Sequence, residues 1–121
     1  MKIVLLVSDV ARSRRFYAGL GFHVVERGAD ATTVALGDAV LELQSDEAAR
    51  RGPDYFTPEI DRFPRGTGVE IVVATGDRAV VDAAATAAAD ADEDVISSGS
   101  DGAQGDLRVA DPDGYLIRLT A

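Results

Sequence analysis

The same order of elements occurs twice in this chain, and that constrains the fold more than any other feature. In the first half, the apolar run Lys2–Val7 reads as a strand. A helix follows to about Leu20, then strands at Phe22–Arg27, Ala31–Leu36 and Ala39–Gln44. In the second half, Gly68–Thr75 reads as a strand and Arg78–Ala91 as an alanine-rich helix. Val95–Ser98, Leu107–Ala110 and Tyr115–Thr120 complete it as strands. Ser8 or Asp9 stands where the first helix needs an N-cap and Asp77 where the second does, each offering a side-chain oxygen to an orphan backbone N–H. Val10, Phe16, Tyr17 and Leu20 form the apolar stripe of the first helix. The final strands align as Ala39-Val40-Leu41-Glu42-Leu43 over Tyr115-Leu116-Ile117-Arg118-Leu119. A repeat of this size means two modules sharing a core, each with a sheet face that needs covering.

The closing hairpin is the sharpest local signal. Asp111-Pro112-Asp113-Gly114 supplies a preset φ, a residue tolerant of tight bends and a positive φ, in that order. On either side Leu107/Val109 and Tyr115/Ile117/Leu119 recur at period two, which puts Arg118 on the opposite face. That face is either solvent or the lining of a polar cavity. Between the modules, Ser45–Thr67 carries three prolines and reads as a linker with a helical turn at Asp46–Arg51. Tyr55, Phe56 and Phe63 are its apolar anchors, pinning it to the body or closing over a pocket.

Composition excludes several functions. A length of 121 residues suits one domain. The formal net charge of −9 opposes nucleic acid and anionic membranes as partners. No apolar run approaches the roughly 20 residues of a membrane helix, and Met1-Lys2-Ile3 enters a strand directly, so neither an anchor nor a secretory leader is expected and the cytoplasm is the expected compartment. The absence of cysteine removes disulfides, thiolate metal sites and a cysteine nucleophile. Aspartate outnumbers glutamate and Lys2 is the sole lysine, a surface suited to high salt or the product of a GC-rich genome. His23, the only histidine, is either a general base or an exposed strand residue.

Val7-Ser8-Asp9-Val10-Ala11-Arg12-Ser13-Arg14-Arg15-Phe16-Tyr17 with Leu20-Gly21-Phe22 resembles the opening of the vicinal oxygen chelate superfamily, and Asp111-Pro112-Asp113-Gly114-Tyr115 resembles its closing motif. That superfamily includes glyoxalase I, extradiol dioxygenases, and fosfomycin and bleomycin resistance proteins. The resemblance implies an α+β fold of two βαβββ modules, 1–44 and 68–121, whose curved mixed sheets form a cavity within a single domain. It also implies a homodimer. The metal enzymes of that group use four ligand positions, which here fall on Lys2, Glu42, Glu70 and Arg118. Two fixed cations among four ligand positions argue against a metal, because charged Lys and Arg have no lone pair to give.

Lys2 is repeat-related to Glu70, and Glu42 to Arg118. Three arrangements follow: salt bridges between modules in the metal's place, a polar cavity floor in which Arg118 holds a carboxylate or phosphate, or a solvated Lys2. The expectation is a cofactor-free, metal-free protein binding a small polar or aromatic compound through Lys2, Glu42, Glu70, Arg108, Arg118, Tyr55 and Phe56. The alternative is a lyase- or dioxygenase-like enzyme with an atypical metal site on Glu42 and Glu70.

Overall fold

A computed structural model describes residues 1–51, 65–98 and 105–121. Tyr55, Phe56 and Phe63, and the turn expected at 99–104, lie outside the described residues. The elements are β1 (Lys2–Val7), α1 (Val10–Gly19), β2 (His23–Arg27), β3 (Ala31–Leu36), β4 (Ala39–Ser45), α2 (Asp46–Arg51), β5 (Glu70–Ala74), α3 (Arg78–Asp90), β6 (Asp94–Ser97), β7 (Leu107–Ala110) and β8 (Leu116–Thr120). They form two curved four-stranded mixed sheets, in the order β1-β4-β3-β2 and β5-β8-β7-β6. In each, the first strand pairs parallel with the last, and the other pairs are antiparallel. The repeat extends to irregularities: β2 shifts register between Val24 and Glu26, and β6 between Val95 and Ser97.

Local chemistry sets these elements as the sequence implies. Asp9, extended at φ −145°, caps α1 by accepting the Arg12 N–H at 3.1 Å, and Asp77 caps α3 through Ala79 N–H at 2.9 Å. Phe16, Tyr17 and Leu20 of the α1 stripe are buried, with Val10 partly so. Alternation then sorts the strands. Leu5 and Val7, Leu41 and Leu43, Ile71 and Val73, Leu107 and Val109, and Ile117 and Leu119 all enter one core beneath the two helices. Truncating any of the leucines to alanine costs about 2–5 kcal/mol by transfer and cavity terms.

The modules hold each other by their hairpin turns. Gly37, at φ +56°, lets the β3–β4 turn sit so close to β5 that a Cβ there would lie 2.1 Å from the Ala74 carbonyl oxygen. Asp38 completes this contact, its carboxylate accepting the Ala74 N–H at 3.2 Å. In the reciprocal contact, the β7–β8 turn meets the end of β1. Ser8 N–H donates to Asp113 Oδ1 at 3.1 Å, and the Tyr115 hydroxyl donates to the Leu6 carbonyl at 2.9 Å. Each module thus fixes the other's parallel edge strand. The opposite sheet faces bear Lys2, Val4, Glu42, Glu70, Val72, Arg108 and Arg118, all exposed or half-buried, and among the described residues no helix packs over them.

Candidate functional site

Between the edges of β1 and β5 lies a cavity of about 430 Å³, lined by Ile3, Val4, Leu5, Thr67, Val69, Glu70, Ile71, Val72 and Tyr115. Its volume falls in the usual range for small-molecule pockets, and its lining is largely apolar. Another hollow, of about 390 Å³ between α1 and α3, is lined by alanine, glycine, leucine and valine without a charged side chain. Among the cavities lined by the described residues, the one between β1 and β5, with the charged sheet faces beside it, is the candidate site.

The charges on those faces pair within each module. Lys2 Nζ donates to Glu42 Oε1 at 2.9 Å. That hydrogen bond, then the charge of Glu42, raises the ammonium pKa above its ordinary value. Arg118 donates from Nε to Asp106 Oδ2 at 2.9 Å and from Nη1 to Glu70 Oε1 at 3.3 Å. These two bonds, with Asp106 the stronger, keep the guanidinium pKa raised. Arg108 Nε lies 3.3 Å from Glu70 Oε2. The salt bridges considered between modules close inside them instead, because the parallel register sets Lys2 beside β4 and Glu70 beside β8. Lys2 stays solvent-exposed but is ion-paired with Glu42. Arg108 shares this group through Glu70, and His23 stands apart as an exposed β2 residue. Asp106, the closest partner of Arg118, escaped the sequence reading, although its two-residue spacing from Arg108 gives it the same parity.

A second polar group secures the end of the site. Asp111 is buried; its Oδ1 accepts the N–H groups of Asp113 and Tyr115, each at 2.9 Å, and its Oδ2 accepts the Tyr17 hydroxyl at 2.6 Å. Burial raises the Asp111 pKa, against those three hydrogen bonds. Burial, followed by the Asp111 charge, pushes the Tyr17 phenol far above its normal range. Beside it Arg65 reaches the Leu6 carbonyl at 3.0 Å, Asp113 at 3.3 Å and Asp46 at 2.5 Å. Burial alone would lower the Arg65 pKa, but the bond and charge of Asp46 raise it overall. Arg65 thereby ties β1, α2 and the β7–β8 turn together. Nothing in its sequence neighbourhood signals this role.

Two sheets of parallel-edged βαβββ topology around a cavity define the class of protein, and the sequence agrees. Residues 2–119 match the model of the Glyoxalase/Bleomycin resistance protein/Dioxygenase superfamily, and the chain belongs to that family. Solved structures share the fold. A hypothetical protein from S. aureus superposes with a TM-score of 0.72 at 19% identity, covering 98% of this chain and 90% of that one. Lactoylglutathione lyase from Agrobacterium tumefaciens gives 0.64 at 19%, over 98% and 90%. A glyoxalase/bleomycin resistance protein/dioxygenase family enzyme from Burkholderia phytofirmans gives 0.67 at 17%, over 98% and 94%. No curated protein matches the sequence.

The metal that many members of this superfamily carry does not fit the residues present. The four positions that the sequence resemblance assigns to it hold two carboxylates, each already ion-paired, and two cations. Among the described residues, no group of three or more His, Asp or Glu could hold a metal ion. A divalent ion would have to displace Lys2 from Glu42 and two arginines from Glu70, then gain further ligands.

Proposed function

We propose that this protein binds a small molecule without a metal or other cofactor, through the charged faces of its two sheets and the cavity between β1 and β5. The observation that carries the reading is the ion pairing of Lys2–Glu42 and Glu70–Arg118 at the family's ligand positions, next to a cavity of about 430 Å³. Lys2, Glu42, Glu70, Arg108 and Arg118 provide the polar contacts, and Val4 and Val72 the apolar ones. Glu42 and Glu70, the carboxylates that could act as a base here, are each held in ion pairs, which suits sequestration or sensing better than turnover. The alternative enzyme, with a metal on Glu42 and Glu70, would have to break both pairs.

In this reading, residues 1–121 form one domain, two modules (1–44 and 68–121) joined by a linker (45–67), that works as a homodimer in the cytoplasm. Among the described residues, no helix is long and apolar enough to cross a membrane. Native mass spectrometry of protein purified from its own host tests the function: a copurifying small molecule and no metal is the expected spectrum. One tightly held metal per chain, lost in Glu42→Ala, is the opposite result and would place the enzyme first. Sedimentation gives the assembly, with a species of about twice the 12.7 kDa chain expected and a purely monomeric one excluding it.

A further inference from the structure

Arg108 and Arg118 stand directly opposite each other on β7 and β8, on the face away from the core. Like charges so placed are destabilising in a sheet unless something bridges them. Glu70 bridges them, giving Oε1 to Arg118 and Oε2 to Arg108, both at 3.3 Å. Asp106 adds a second carboxylate on Arg118.

These bonds do not exhaust the two guanidinium groups. Each carries five N–H donors. Among the described residues, neither terminal nitrogen of Arg108 nor Nη2 of Arg118 meets an acceptor. In every pair on these faces the base lies further out than its acid. Side-chain exposure is 42% for Arg108 against 28% for Glu70, 31% for Arg118 against 15% for Asp106, and 51% for Lys2 against 24% for Glu42. A chain of net charge −9 thus turns donors outward here and tucks the acids beneath them. The repeat provides an internal comparison. In the first module the residue opposite Glu42 is Thr33, so no second cation stands there.

We propose that Arg108 and Arg118 form a two-guanidinium clamp for one oxyanion, a carboxylate or phosphate, on a small acid whose apolar body lies in the β1–β5 cavity. This rests on the small-molecule reading above and gives the ligand its chemical class. Glu70 is the positioning residue: it borders the cavity and holds the two arginines side by side. The oxyanion touches outward N–H groups directly, in the short charge-assisted geometry that planar guanidinium favours, while the carboxylates stay on the inner side.

The test titrates the isotopically labelled full chain with benzoate, phenyl phosphate and neutral benzamide, following arginine Nε–Hε and valine methyl NMR signals. At least one acid is expected to bind tenfold or more tightly than benzamide and to shift both arginines; which acid does so separates carboxylate from phosphate. The preference disappears in Arg108→Gln/Arg118→Gln. Most of it is lost in Arg118→Lys, which keeps the charge without the fork, while His23→Gln retains it. Arg108→Gln alone, at the more exposed of the two arginines, carries the test if the double variant does not fold. Equal affinity for benzamide, or a preference that survives the arginine changes, overturns the clamp. If the Val4 and Val72 methyls still respond to benzamide, small-molecule binding stands without it. If no probe moves these valines or either arginine, both readings fall.

Discussion

Replacing Tyr17 by Phe removes one oxygen from the core and isolates one interaction. The ring is fixed by edge-on contacts with Phe16 and Phe22, at centroid distances of 5.0 and 5.2 Å, so phenylalanine keeps the packing. What disappears is the 2.6 Å hydrogen bond to Asp111 Oδ2, leaving that buried oxygen without a donor. A hydrogen bond to a charged group contributes about 1.5–3 kcal/mol, and a stranded buried acceptor puts the loss near the upper end. The two backbone N–H groups on Oδ1 remain and hold the turn, so the fold survives. We expect Tyr17→Phe to lower unfolding stability at pH 7 by about 2–3 kcal/mol, or roughly 8 °C in Tm for a chain of this size.

The pH dependence gives a second, independent check. Burial raises the folded-state pKa of Asp111 above its unfolded value, so ionised Asp111 penalises the fold. That penalty is absent below the unfolded pKa and grows as pH rises to the folded pKa. It is constant above that point. Removing the Tyr17 hydroxyl, which favours the ionised form, raises the folded pKa further. The difference between wild type and variant must therefore shrink as pH falls through the raised folded values, and level off above them. Urea melts between pH 4 and 7.5, with an unchanged slope, measure this. A loss below about 0.5 kcal/mol at pH 7, or one equal at pH 4 and 7, would refute the reasoning.

Gly37→Ala should cost about 2–5 kcal/mol, from a left-handed φ of +56° and a Cβ 2.1 Å from the Ala74 oxygen, read by the same melts; a neutral change would mean the β3–β4 turn does not fix β5. Elemental analysis of the unmodified protein should find no stoichiometric Zn, Ni, Mn or Fe. Lys2→His, Glu70→His and Arg118→Glu together should confer divalent-metal affinity measurable by calorimetry, and a silent triple variant would show that the four positions do not converge. Raising KCl from about 0.1 to 1 M shortens the screening length from about 10 to 3 Å. At a net charge of −9 the Tm should rise, and a flat or falling Tm would favour codon bias over salt adaptation as the source of the acidity.

Sequence alone determined what depends on periodicity and on neighbours a few residues apart. Period-two alternation in Leu107–Thr120 put Ile117 and Leu119 in the core and Arg118 outside, because a strand's parity is fixed by its own backbone. Asp9 and Asp77 marked the helix starts because a cap acts on an N–H two or three residues away. The repeat, with its family motifs, then carried these local elements to two βαβββ modules.

Only the tertiary structure decided which charge meets which. Arg118 chooses Glu70 and Asp106, 48 and 12 residues away in the chain, and Lys2 reaches Glu42 across 40. Those partners depend on sheet register, which no local pattern encodes when several acids share the same parity. Arg65, inside the proline-containing stretch Ser45–Thr67, gave no periodic signal; its role arises where β1, α2 and the β7–β8 turn converge. The pairing of bases over acids beside the cavity likewise follows from packing: side-chain depth is set by the whole face, and the sequence specifies only which side of the strand each residue takes.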